Sequence, residues 1–162
     1  MPIIIHQDVR ASENTKMEFA RPYLVDEVAR EFPDLKIIIS QLGYPWMEET
    51  TALLAKHRNV FADISGLVHH EWLAYNALLS AYQAGVMDAL LFGSNFPYTT
   101  AAACIEALYS INQFCHGTAL PTIPREQLRQ IVERDVLTLL NIAGEPDLAP
   151  PEPDTTVIQV EE

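Results

Sequence analysis

Short apolar runs alternate with amphipathic segments along most of this chain. The apolar runs, rich in β-branched residues, predict four strands at residues 2–5, 36–39, 60–64 and 89–92. Apolar residues at helical spacing predict helices at residues 23–32, 47–57, 71–83, 100–114 and 124–141. Strands alternating with helices indicate parallel β-α units in one α/β domain, residues 1–144. Four such units make half of an eight-stranded TIM-like β/α barrel, with an open flavodoxin-like sheet as the alternative.

Composition changes sharply near the end of the sequence. Residues 145–162 contain six acidic residues, four prolines and no basic residue, which predicts a disordered acidic tail. The whole chain carries a formal charge of −12, and this charge disfavours nucleic acid and anionic membranes as partners. No apolar run is long enough to span a bilayer, and the first residues do not resemble a signal peptide. We therefore expect a cytoplasmic location.

Polar residues stand at or near the end of each predicted strand. His6 follows the first strand, Gln41 follows the second, and Asn95 follows the fourth. Parallel β/α enzymes mount their functional groups at these carboxyl ends. An Asn amide oxygen can coordinate a metal weakly, but it does not accept a proton near neutral pH. Asp63 lies inside the third strand, so we expect its carboxylate to contact a neighbouring backbone or to face the barrel mouth.

Several aromatic and histidine side chains are weaker candidates. Three aromatic residues follow strand ends and could either line a pocket for substrate or serve as packing anchors: Tyr44, Trp46 and Tyr98. His69 and His70 are adjacent, so on a helix they point apart and indicate a surface pair and not a metal site. His57 near a helix end is expected to be exposed to solvent.

Several of these segments together resemble the C-terminal half of the barrel of the amidohydrolase-related (amidohydrolase 2) family. Residues 32–43, Phe-Pro-Asp-Leu-Lys through Gln-Leu-Gly, resemble the sixth barrel strand, where the family has His-Leu-Gly or His-Gly-Gly. Residues 91–97, Leu-Phe-Gly-Ser-Asn-Phe-Pro, resemble the eighth strand, where the family has Phe-Gly-Ser-Asp-x-Pro. Residues 2–6 and 59–66 resemble the fifth and seventh strands.

This resemblance implies a divalent metal, commonly zinc, and either hydrolysis of C–N or C–O bonds or decarboxylation of small aromatic or related acids. It places His6 at a metal-ligand position, Gln41 at the position of a catalytic His, and Asn95 at that of a metal-binding catalytic Asp. The His-x-His pair of the first strand has no counterpart in this sequence. One imidazole and two neutral amides make a poor zinc site, so we expect the metal to be weakly held or absent.

Three functional hypotheses follow from this pattern. The favoured one is a truncated amidohydrolase-related protein with impaired catalysis. The second is a non-catalytic module that binds a small molecule or a protein. The third is an active metal-dependent hydrolase, formed when the chain pairs with a copy of itself or with a chain that supplies the missing half-barrel.

Overall fold

The computed structural model describes residues 1–6, 13–14 and 16–142, so the predicted acidic tail lies outside the described residues. The four strands are β1 (Ile3–Ile5), β2 (Ile37–Ile39), β3 (Val60–Asp63) and β4 (Leu90–Leu91). The α-helices are α1 (Val25–Glu31), α2 (Met47–Lys56), α3 (Glu71–Gln83), α4 (Ala101–Tyr109), α5 (Arg125–Glu133) and α6 (Val136–Leu139). Short 3-10 helices cover Met17–Ala20, Pro22–Leu24, Ser40–Gly43, Met87–Ala89 and Ile111–Cys115.

The strands form one parallel sheet in the order β1-β2-β3-β4, the same order as in the sequence. Ile4 pairs in register with Ile38, and Ile38 pairs with Phe61. A flavodoxin-like sheet reverses its strand order at a switch point, whereas a β/α barrel adds each strand beside the previous one. The sequential order therefore confirms the prediction of half a TIM-like barrel.

The two faces of the sheet are covered differently. One face packs against helices α1–α5, and the resulting core includes the fully buried Ile37, Ile39 and Leu90. The opposite face, here called the inner face, carries a small buried cluster of Ile38, Phe61, Leu91 and Leu140. Helices on a single face are typical of a barrel wall. The inner face corresponds to the side that would look into a closed barrel.

The inner face is covered only in part. Leu140, just after α6, packs in the cluster with Phe61, whereas Ile4 on β1 is 68% exposed. β1 and β4 are the two edges of the sheet. None of the helices within the described ranges is long and apolar enough to cross a membrane.

Two long predicted helices are interrupted in the structure. The predicted helix 100–114 ends as an α-helix at Tyr109 and continues as a 3-10 turn. The predicted helix 124–141 breaks at Arg134, whose backbone is extended and whose guanidinium donates hydrogen bonds to the carbonyls of Leu90 and Met87. Asp135 then caps α6 by accepting a bond from the Thr138 amide. Tertiary contacts to the base of β4 thus override helical periodicity at this point.

Candidate functional site

A cavity of about 610 Å³ opens at the carboxyl ends of the strands, and we call it the strand-end cavity. Its wall is formed by the segments that follow β2, β3 and β4 and by the start of α4. Its polar lining consists of Gln41, Tyr44, His69, His70, Asn95, Tyr98 and Thr99. Leu67, Leu73 and Ala103 supply apolar wall. No carboxylate lines this cavity among the described residues, so hydrogen-bond donors and neutral groups dominate it.

Gln41 and Asn95 meet at this cavity although 54 positions separate them in the sequence. A methyl group placed on Gly66 would lie 3.3 Å from Gln41 Nε2 and 3.4 Å from Asn95 Nδ2. Gly66 itself has a left-handed backbone with φ of +73°, which favours glycine. The side-chain amides of Gln41 and Asn95 thus lie next to the Gly66 backbone. They occupy the positions where the resemblance places a His and an Asp.

Both amide residues also have left-handed backbones, with φ of 53° at Gln41 and 58° at Asn95. Asn adopts this conformation at little cost, whereas Gln does so less readily. Asp63 holds the Gln41 backbone in place, because its Oδ1 accepts a hydrogen bond of 3.0 Å from the backbone N–H of Gln41. Left-handed turns directly after β2 and near the end of β4 redirect the chain, and this places the two side chains at the cavity.

Asp63 is a backbone anchor and does not line the strand-end cavity. Its Oδ1 also accepts a bond of 2.9 Å from the Ser65 amide and another from the Ser65 hydroxyl. These contacts tie the end of β3 to the turn after β2. The expectation that the Asp63 carboxylate contacts a neighbouring backbone is confirmed by the bond from Gln41.

His69 and His70 are exposed, which confirms the predicted surface pair, and they also line the cavity, which was not predicted. They precede α3, which begins at Glu71, so the helical argument that separates adjacent side chains does not apply to them. His69 Nε2 lies 3.4 Å from the sulfur of the buried Cys104, whose thiol donates to the Ser94 carbonyl. The usable signal was their position in a loop after a strand, where functional residues concentrate.

Two predicted site residues lie elsewhere. His6 is exposed at the end of β1 and does not line the strand-end cavity. Trp46 instead faces Arg21, whose guanidinium lies 4.9 Å from the centroid of a Trp46 ring and forms an ion pair with Glu49. Trp46 and Arg21 line a separate cavity with Met17, Glu18 and Tyr23. The structure therefore brings together Gln41, Tyr44, Asn95 and Tyr98, but neither His6 nor Trp46.

His57 was expected to be exposed, and this prediction is wrong. Its side chain is 10% exposed, and its Nε2 lies 2.7 Å from Asp26 Oδ1. The Asp26 carboxylate on α1 reaches the end of α2 and covers the imidazole. This contact between two helices cannot be read from the spacing within either one.

The donor set does not fit a divalent metal. Zinc sites use His, Cys, Asp and Glu, and catalytic ones need three protein ligands. In the described ranges, no group of three or more such residues is arranged to hold a metal ion. Gln41 and Asn95 offer only neutral amide oxygens, which bind zinc weakly. Within the part of the chain that the structure describes, the side chains do not form the metal centre that the resemblance implies.

The sequence profile of the amidohydrolase family matches residues 2–134, most of the chain. This chain belongs to the amidohydrolase family. The match spans all four strands and ends just after α5. No curated protein matches the chain significantly.

Two solved structures have a similar fold. An uncharacterised TIM-barrel protein, Bb4693 from Bordetella bronchiseptica, is 21% identical, with a TM-score of 0.55 over 88% of this chain and 46% of its own. The 5-carboxyvanillate decarboxylase LigW from Sphingomonas paucimobilis is 13% identical, with a TM-score of 0.44 over 75% of this chain and 38% of its own. The chain thus spans less than half the length of either structure. The first similarity supports the TIM-barrel fold and nothing finer.

Proposed function

We propose that this amidohydrolase-family half-barrel binds a small aromatic carboxylate in the strand-end cavity and that its metal-dependent catalysis is impaired. The observation that carries the proposal is the meeting of the Gln41 and Asn95 amides beside Gly66. Amides at these positions can donate hydrogen bonds to a ligand, but they cannot hold zinc firmly or transfer a proton near neutral pH. The cavity can therefore still bind a ligand, although metal-dependent hydrolysis or decarboxylation of that ligand is impaired.

The cavity lining determines the ligand class. Amide, imidazole and hydroxyl groups can donate hydrogen bonds to carboxylate oxygens, and no acidic side chain of the described lining repels an anion. The rings of Tyr44 and Tyr98, with Leu67 and Leu73, supply apolar surface suited to an aromatic body. Polar groups that orient a ligand beside apolar surface are typical of a small-molecule site. Small aromatic acids are also among the substrates that the family resemblance implies.

Benzoate titration tests this proposal. We expect saturable changes in the ¹H–¹⁵N NMR signals of residues around the strand-end cavity, including Gly66, His69 and Asn95. Asn95→Asp should weaken benzoate binding at least about tenfold, because it places a like charge beside the carboxylate without changing side-chain shape. Asp tolerates the left-handed backbone as Asn does, so the fold should be retained.

Asn76→Asp is the matched control for this experiment. Asn76 is exposed on α3, does not line the strand-end cavity, and its substitution changes the net charge by the same amount. We expect it to alter benzoate affinity less than about twofold. Equal weakening by the two variants, or no saturable change in the parent protein, would refute the proposal.

A second candidate function is an active metal-dependent hydrolase that forms when four further strands complete the barrel. The sheet has two edges, and the inner-face residue Ile4 on β1 is 68% exposed. Further strands could cover this surface and supply metal ligands that the described residues lack. In this candidate His6, at the end of β1, would serve as a ligand. Zinc-dependent turnover in such an assembly, lost on His6→Gln, would favour this candidate over a binding module.

A further inference from the structure

A second cavity, of about 360 Å³, lies at the opposite end of the sheet. Lys36 directly precedes β2 and Asn59 directly precedes β3, so this cavity is at the amino ends of the strands. We call it the strand-start cavity. Its basic lining consists of Arg30, Lys36, Lys56, His57 and Arg58. The chain has only ten Lys and Arg residues and a charge of −12, so four of them around one cavity is an unusual concentration.

Only some of this positive charge is neutralised within the described residues. Arg30 pairs with Glu31, and Asp26 contacts both Lys56 and His57. Arg58 and Lys36 form no ion pair with the part of the chain that the structure describes, and the Lys36 ammonium lies over the ring of Phe61, 5.6 Å from its centroid. No acidic side chain lines the strand-start cavity among these residues. No described acidic side chain therefore neutralises the Arg58 guanidinium or the Lys36 ammonium.

The frame that carries these cations is fixed by Asn59. Its buried side-chain amide donates to the carbonyls of Ala29, Phe32 and Leu35 at 3.0–3.1 Å. These bonds join the start of β3 to the end of α1, which carries Arg30, and to the loop before β2, which carries Lys36. Cations mounted on a preorganised frame bind an anion at a lower entropic cost than flexible surface side chains do.

We propose that the strand-start cavity binds a phosphate group carried by a small soluble molecule. Arg58 offers a planar fork of donors and Lys36 a point charge, and Arg30 lines the same cavity. Donors that approach from separate chain segments suit a tetrahedral oxyanion, whose oxygens point in several directions. This site is independent of the proposed carboxylate site, because it lies at the other end of the sheet and uses none of the same residues.

Titration of the full chain with inorganic phosphate at constant ionic strength tests this proposal. We expect saturable ¹H–¹⁵N NMR changes centred on residues 30–36 and 56–59. Arg58→Gln and Lys36→Gln should each weaken phosphate binding at least about fivefold, because each removes a charged donor. Because the two substitutions lie in different loops, misfolding of one variant still leaves the other to test the proposal.

Arg125→Gln and Lys16→Gln are matched controls that remove the same charges outside this cavity. Both residues are exposed, so their substitution tests whether net charge alone controls binding. We expect each control to change phosphate affinity less than about twofold. Equal weakening by controls and cavity variants would overturn the proposal, as would NMR changes that chloride reproduces or that centre elsewhere.

Discussion

At the residue scale, the Asp26 carboxylate joins α1 to the end of α2. It contacts the His57 imidazole and the Lys56 ammonium, and the hydrogen bond from His57, followed by that from Lys56, lowers the pKa of Asp26 below its usual value of 3.8. A carboxylate with a lowered pKa in the folded state stabilises the protein above its unfolded-state pKa. This contribution is lost as the pH falls through the lowered value.

Asp26→Asn is therefore expected to destabilise the protein at pH 5 to 6, and the difference should shrink steadily below pH 4. The measurement is the thermal unfolding midpoint of both proteins across this range. Asp88→Asn, at an exposed position, is the control and should change stability by less than about 0.5 kcal/mol. A difference between Asp26→Asn and the parent that does not depend on pH would contradict this account of the contact.

At the site, the sequence predicts which residues follow strand ends, but it does not predict how they are arranged. Asn95 and Gln41 could be identified from the sequence because motif residues follow strand ends. Their placement on either side of Gly66 depends on two left-handed turns and on Asp63, and no local pattern encodes that geometry. The position of His69 beside Cys104 likewise depends on how α4 packs against the loop before α3.

At the element scale, the strands were predictable because their apolar runs are short, β-branched and bounded by polar turns. The observed strands fall within the four predicted ranges. The ends of helices were less predictable, as the break between α5 and α6 shows. Helical spacing continues through Arg134, but its guanidinium reaches carbonyls 44 and 47 positions away. Long-range hydrogen bonds of this kind leave no periodic signal in the sequence.

Arg134 is expected to be a strong determinant of how α5 and α6 attach to the sheet. Arg134→Met keeps an apolar stem but removes both hydrogen bonds to the Leu90 and Met87 carbonyls, and we expect a loss of about 1.5–3 kcal/mol. Denaturant unfolding measures this loss. Arg129→Met removes an exposed pair with Glu133 on the same helix and should cost less than about 1 kcal/mol. Similar costs for the two variants would show that the Arg134 contacts are not important.

At the scale of the whole molecule, the sheet leaves two edges and part of its inner face without cover from the described residues. An exposed edge strand beside an apolar face is a surface on which chains associate. Ile4 contributes to this surface, with 68% of its area exposed. The same arrangement forms a closed barrel wall when further strands are present, so the exposed surface is a direct consequence of a half-barrel.

The isolated chain is expected to be an oligomer and not a monomer of 18.2 kDa. Light scattering coupled to size exclusion measures the mass. Ile4→Lys should shift the population towards the monomer because it places a charge on the inner face. Leu120→Lys, at a partly exposed loop position, should leave the mass unchanged. A clean monomer for the parent chain would mean that the sheet tolerates its open edges.

We propose that amides at positions 41 and 95 leave a binding cavity without a working metal centre. Zinc titration by calorimetry of the parent chain and of the Gln41→His/Asn95→Asp variant tests it most directly. We predict no stoichiometric zinc binding by the parent, and at least about tenfold tighter binding by the variant, which restores an imidazole and a carboxylate at one cavity. Tight, stoichiometric zinc binding by the parent chain, unchanged in the variant, would contradict the account.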